Sequence, residues 1–206
     1  MDGLRTLSPL ELDALREVAN IGAGHAATAL SQMTGRTVMI DVPAVKFRGA
    51  DQLGDVVGDA GQVVAGVVMH VMGDLTGRAL VLFPEAAVPP LGLQLLGRPI
   101  PDLRVLGAME QSALKEVGNI LVSAYLTALS EFLHLMLAPS VPGLVVDAAG
   151  SVLAQLPAAG GAPQAALCVE TTFRVPGEPD GVHGHFVLLP DLASLQVLLE
   201  TIRPAR

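Results

Sequence analysis

The sequence predicts a duplicated α/β chain, a six-stranded, mostly antiparallel sheet with helices packed on it, and three observations carry that prediction. Residues 10–43 align without a gap over residues 109–142 at a constant offset of 99. Glu11 matches Glu110, Leu15 Leu114, Glu17 Glu116, Val18 Val117 and Asn20 Asn119, and Thr28-Ala29-Leu30-Ser31 matches Thr127-Ala128-Leu129-Ser130. The halves also end alike, with ALVLFPEAAVPPLGLQLLG at residues 79–97 over HFVLLPDLASLQVLLETIR at residues 185–203 and Pro84 over Pro190. Between these landmarks each half carries three runs rich in β-branched residues and bounded by Gly or Pro, as strands are. The chain therefore reads as one domain, residues 1–206, made of two homologous halves at about 8–103 and 107–206. The second half is about seven residues longer, as the offset grows from 99 to 106, and the VPGEPDGVHG segment is the expected place for them.

Taken in order, Ser8-Pro9-Leu10-Glu11 is a capping box with Pro at the first helical position, so a long helix should begin near Pro9. Strands follow at TVMIDVPAVKFR, QVVAGVVMHVM and GRALVLFP, then a short helix from Glu85, whose charge suits a helix N-terminus. The second half repeats the plan, with strands at LHLMLAPSVPGLVV, AALCVETTFRV and GHFVLLP. The Gly-rich segments GADQLGDVVGDAGQ and AAGGAPQ read as connections.

Within the first helix, Gly22-Ala23-Gly24 resembles a phosphate-cradling turn, but such a turn follows a strand and opens a helix. Here the helical pattern has already run from Pro9, and the counterpart segment is Leu121-Val122-Ser123. Ala19, Gly22, Ala23, Ala26 and Ala29 instead form a small-residue surface for close approach to the matching helix of the other half. That packing must offset about 1 kcal/mol for each helical Gly relative to Ala.

Composition removes several function classes. A net charge of -8 with only twelve scattered Lys and Arg argues against nucleic acid, and no Trp and one Tyr argue against a base-stacking platform. The apolar runs fall short of the roughly 18 to 20 residues that span a bilayer. The N-terminal MDGLRTLSPLELD lacks a basic region followed by an apolar block, so a cytoplasmic location is expected. The single Cys168, in a strand, reads as a buried, inert thiol. His183 and His185 alternate with Gly in GVHGHF, which is read as a loop leading into a strand in preference to a weak metal site.

A polar edge is the informative feature. At 100° per residue, Asp13, Glu17 and Asn20 fall within an arc of about 60°, and Ser112, Glu116 and Asn119 do so in the second half. Asn is a poor helix former, and a merely solvated position has no reason to repeat it.

These residues resemble a known pattern. Asp13-xxx-Glu17-xx-Asn20, then twenty-two residues and Pro43, and Ser112-xxx-Glu116-xx-Asn119 with Pro142 at the same spacing, are similar to the signature of the CheC/CheX/FliY chemotaxis phosphatases. Two copies in one chain resemble the CheC type. The resemblance implies a pseudo-twofold α/β sandwich with two exposed motif-bearing helices, and hydrolysis of the phosphoaspartate of a CheY-type response regulator. It implies that Glu17, Asn20, Glu116 and Asn119 carry the function, with Asp13 and Ser112 as positioning or contact residues. It also implies CheD as a second partner in many bacteria. No cofactor of the chain's own is expected, since the regulator brings its own magnesium and lysine. A side-chain amide holds a water through donor and acceptor together, and a Glu one turn away can pair with that lysine. Pro43 and Pro142 are expected to end the helix-to-strand connections. A CheD-binding adaptor that docks phosphorylated regulator with little turnover is the alternative reading.

Overall fold

The computed structural model describes residues 7–49, 52–54, 59–156, 165–174 and 181–202. Helix α1, Pro9–Thr34, starts where the capping box predicts: Ser8 Oγ accepts from the Glu11 N–H at 3.3 Å, and Glu11 Oε2 accepts from the Ser8 N–H at 2.7 Å. It ends at Gly35 in the left-handed region, φ 67°. Strands β1, Met39–Gly49, β2, Val63–Gly73, and β3, Gly77–Pro84, follow. A 3₁₀ turn at Glu85–Ala87 precedes α2, Val88–Leu96, so the α-helix begins later than the sequence suggests. Pro89 and Pro90 account for the delay, because residues without an N–H fit only the first turn of an α-helix.

A second long helix, α3, Ala108–Leu133, has the same 26-residue length as α1. Strands β4, Leu137–Pro139, and β5, Gly143–Ala148, lead to the short α4, Ala149–Ala154, then β6, Ala165–Arg174, β7, Val182–Pro190, and α5, Leu192–Thr201. Helix α4 and a 3₁₀ turn at Leu103–Val105 have no counterpart in the sequence reading. The AAGGAPQ segment, residues 175–180 of VPGEPDGVHG, and part of GADQLGDVVGDAGQ lie outside the described residues.

All strand pairs are antiparallel, in the order β1-β6-β7-β3-β2, with β2 paired at its far side by β4 over Val71–Gly73 and by β5 over Val63–Val68. Seven strands thus fill six positions. The predicted strand LHLMLAPSVPGLVV is split because Pro139 and Pro142 flank its middle, and Pro cannot donate to a ladder. The opposite edge shows the same device: Pro43 sits where the register of β1 against β6 shifts between Asp41 and Ala44. Pro43 and Pro142 therefore interrupt the two edge strands and do not, as expected, end the helix-to-strand connections.

The main core lies between one face of the sheet and α1 and α3, joining Leu15, Val18 and Leu30 of α1 and Leu114, Leu121 and Leu129 of α3 to Val81, Phe83, Val169 and Phe186. A smaller core on the other face gathers Leu80, Leu82, Cys168 and Val187 under α4 and Leu53. Cys168 is buried in a strand, as the sequence indicates, and burial pushes its thiol up to about 12. His183 and His185 lie within β7 and not in a loop before it, with His183 Nδ1 3.1 Å from Thr172 Oγ1.

Candidate functional site: two helix edges

The rotation of each long helix is set by what it buries. On α1, Leu15, Val18, Ala19, Gly22, Ala23 and Ala26 are buried, which leaves Asp13, Glu17 and Asn20 in solvent on one edge. Ala29, the last of the predicted small residues, is half-buried. On α3, Leu114, Val117, Gly118 and Leu121 are buried, leaving Ser112 and Glu116 exposed and Asn119 half-buried. The spacing of three between each Glu and Asn puts the pair one turn apart on a common face.

Close helix contact makes this arrangement rigid. A Cβ at Gly22 would lie 2.7 Å from Tyr125 Cδ1 and 3.1 Å from Tyr125 Cα, so α1 meets α3 at a point where only Gly fits. Gly24 has nothing within 4 Å of such an atom and is exposed, so of the two glycines only Gly22 serves the contact. Gly118 performs the same service between α3 and the sheet, where a Cβ would lie 2.5 Å from Val67 Cβ.

The helices run antiparallel. Met33 and Thr34, at the end of α1, share a cleft with Met109, Ser112 and Glu116, near the start of α3. The first motif instead faces β1: Asp13 and Arg16 share a cleft with Pro43 and Lys46, and Arg16 Nη2 donates to the Pro43 carbonyl at 3.3 Å. The six residues singled out in sequence therefore form two separate edges, not one composite site.

Sequence reasoning missed three contributors. Tyr125 fills the crossing, stacks on Phe186 with ring centroids 4.7 Å apart, and shares a hydrogen bond of 3.1 Å between its hydroxyl and Thr171 Oγ1. Burial pushes that hydroxyl up to about 12, against the opposing effect of Thr171. The signal was present, since Tyr125 stands where the first half has Ala26. Arg16 and Gly118 are the others. Their partners, the Pro43 carbonyl and Val67, are distant in sequence, and no local pattern announces them.

Two long helices lying on an antiparallel sheet, each presenting a Glu-x-x-Asn edge, define a class of protein, and the chain belongs to the CheC-like family. The family model matches twice, at residues 10–47 and 109–146, covering both motif helices and the chain just beyond them. Among individual relatives, the CheY-P phosphatase CheC of Bacillus subtilis is 37% identical over 191 residues, 91% of this chain and 91% of that one. Solved structures share the fold. Thermotoga maritima FliY matches with a TM-score of 0.76 at 22% identity, over 96% of this chain and 98% of that one. The FliM middle domain from H. pylori matches with a TM-score of 0.68 at 13% identity, over 95% of this chain and 99% of that one.

Proposed function

We propose that this protein hydrolyses the phosphoaspartate of a CheY-type response regulator, with one site on each long helix. The observation that carries the reading is the pairing of an exposed Glu with an Asn one turn on, exposed at Asn20 and half-buried at Asn119, in a chain 37% identical to a CheY-P phosphatase. The fold alone would not support it, since FliM has that as well.

An acyl phosphate is already a reactive bond, and what it lacks is a well-placed water. The amide of Asn20 or Asn119 can accept from one hydrogen of a water and hold its oxygen in line with phosphorus. The water oxygen bonds to phosphorus as the phosphorus–carboxylate bond breaks, giving inorganic phosphate and a free aspartate on the regulator. Positioning and electrostatics dominate such transfers, so no shifted pKa is required on the chain. Glu17 and Glu116 pair with the regulator's lysine and fix the register of docking. Asp13 and Ser112 make contacts at the same edge. Magnesium belongs to the regulator. The two-half organisation, residues 8–103 and 107–206, supplies the two sites about a pseudo-twofold relation, and the reaction belongs in the cytoplasm with its substrate.

The test follows phosphate loss from a magnesium-loaded CheY-type regulator with and without the protein. Wild type should accelerate it, and Asn20→Ala with Asn119→Ala should remove at least about 100-fold of that acceleration while leaving the melting temperature near wild type. A double variant that unfolds, or that retains full turnover, overturns the assignment of these residues. Wild type that binds phosphorylated regulator without accelerating decay, and that captures CheD, favours the adaptor.

A further inference from the structure

We infer that the two helix edges dock their regulator by different chemistry: the first by salt-sensitive charge contacts, the second by an apolar side chain of the regulator seated between methionines. This rests on the phosphatase reading above. The surroundings of the two edges differ although their motifs match.

Beside the second motif, Ser112 and Glu116 themselves line a cleft of about 290 Å³, whose remaining walls include Met33 from the end of α1, Leu95 and Leu96 from α2, and Met109 from α3. Among the described residues Glu116 is the only charged one in that lining. Met33 is 43% exposed and Met109 61% exposed, so two flexible apolar side chains stand open to water beside the motif. Methionine adapts to an irregular apolar partner. Because Glu116 is part of the lining, a regulator that pairs with it docks at the rim of this cleft. The occupant is therefore the docked regulator, through an apolar side chain next to its phosphorylated aspartate.

Beside the first motif, the cleft of about 330 Å³ holds three charges, Asp13, Arg16 and Lys46, together with Pro9, Leu12 and Pro43. Lys46 is already paired with Glu170, whereas Arg16 spends one N–H on the Pro43 carbonyl and, exposed itself, shares the cleft with Asp13. A guanidinium beside the motif attracts the anionic rim of a phosphorylated acidic site, and such an exposed contact weakens as salt rises.

Single-site proteins separate the two. With a CheY-type regulator phosphorylated by acetyl phosphate, Asn119→Ala leaves the first edge working and Asn20→Ala leaves the second. Raising salt from 50 to 500 mM should increase KM about tenfold at the first edge and about threefold or less at the second, where Glu116 makes the one charge contact, with kcat little changed in both. Met33→Gln with Met109→Gln should increase KM about tenfold in the Asn20→Ala protein. An equal salt response at both edges, or an equal effect of the methionine changes in both backgrounds, overturns the inference. If wild type shows no turnover, the phosphatase reading fails separately, and the same comparison is made by titrating binding of beryllofluoride-activated regulator. Selective loss of binding in the methionine variant then supports the apolar dock, and equal binding by all variants, or none, overturns it.

Discussion

Gly22 of α1 rests on Tyr125 of α3, closely enough that a methyl group in place of the glycine hydrogen would fall 2.7 Å from the ring and 3.1 Å from its Cα. The contact is one-sided: in the register that superposes the halves, Gly22 answers to Leu121 and Tyr125 to Ala26. One helix supplies the hollow and the other the ring. The antiparallel crossing thereby spaces the two polar edges.

Gly22→Ala should destabilise the fold by about 1 to 3 kcal/mol, because overpacking outweighs the gain in helix propensity. Gly24→Ala, two residues away, should stabilise it by about 0.5 to 1 kcal/mol, since its site is exposed and open. Gly118→Ala should cost at least as much as Gly22→Ala, because the obstacle is the branched Cβ of Val67 and not a ring edge. Urea unfolding of the three variants checks the order of signs.

His134 ends α3 at φ 55° and is the single non-Gly residue with positive φ among the described residues. It lies 99 residues after Gly35, which ends α1 in the same conformation at φ 67°. His134→Gly should raise stability by about 0.5 to 1 kcal/mol by removing the left-handed penalty. A fall in melting temperature would mean that the imidazole makes a compensating contact at the helix end.

Asp191 caps α5, accepting from the Ser194 N–H at 2.9 Å and from the Thr76 hydroxyl. The Thr76 hydroxyl, then the Ser194 N–H, hold its carboxyl below its ordinary value of 3.8. A depressed carboxylate contributes stability above its unfolded value and loses it as pH falls through the folded one. Asp191→Ala should therefore cost about 1 kcal/mol at pH 7, with the cap's charge-dependent share of that deficit lost as pH falls below 3.8 and through the folded value. A deficit unchanged by pH would show that Thr76 and Ser194 do not depend on the charge.

Glu17→Gln with Glu116→Gln should separate docking from water placement. On the proposed mechanism KM for phosphorylated regulator rises about 5- to 10-fold and kcat changes little, the size expected for an exposed ion pair. A collapse of kcat at saturating regulator would give these carboxylates a direct part in the reaction.

Much of this was legible in the sequence because it is local. The capping box at Ser8, the polar edge at Asp13, Glu17 and Asn20, and the strand runs each depend on residues a few positions apart. What escaped depends on distant partners. Pro142 looked like a boundary until β2 was seen to pair with β4 and β5 on either side of it. Gly118 looked unremarkable in an apolar helix, because Val67, the reason for it, lies on another element. The different surroundings of the two motifs were hidden in the same way: Met33 reaches the second edge only because the helices run antiparallel.

The interrupted borders of the sheet have a consequence for the company this protein keeps. An outer strand with an unbroken row of free N–H and C=O groups is a template on which another chain can crystallise into a continuous sheet. Here one border carries Pro43 at a shift of register and the other is cut between Pro139 and Gly143. Neither offers a full-length template, so fusion of sheets from neighbouring molecules along them is disfavoured, and self-assembly into fibrils is discouraged at both flanks.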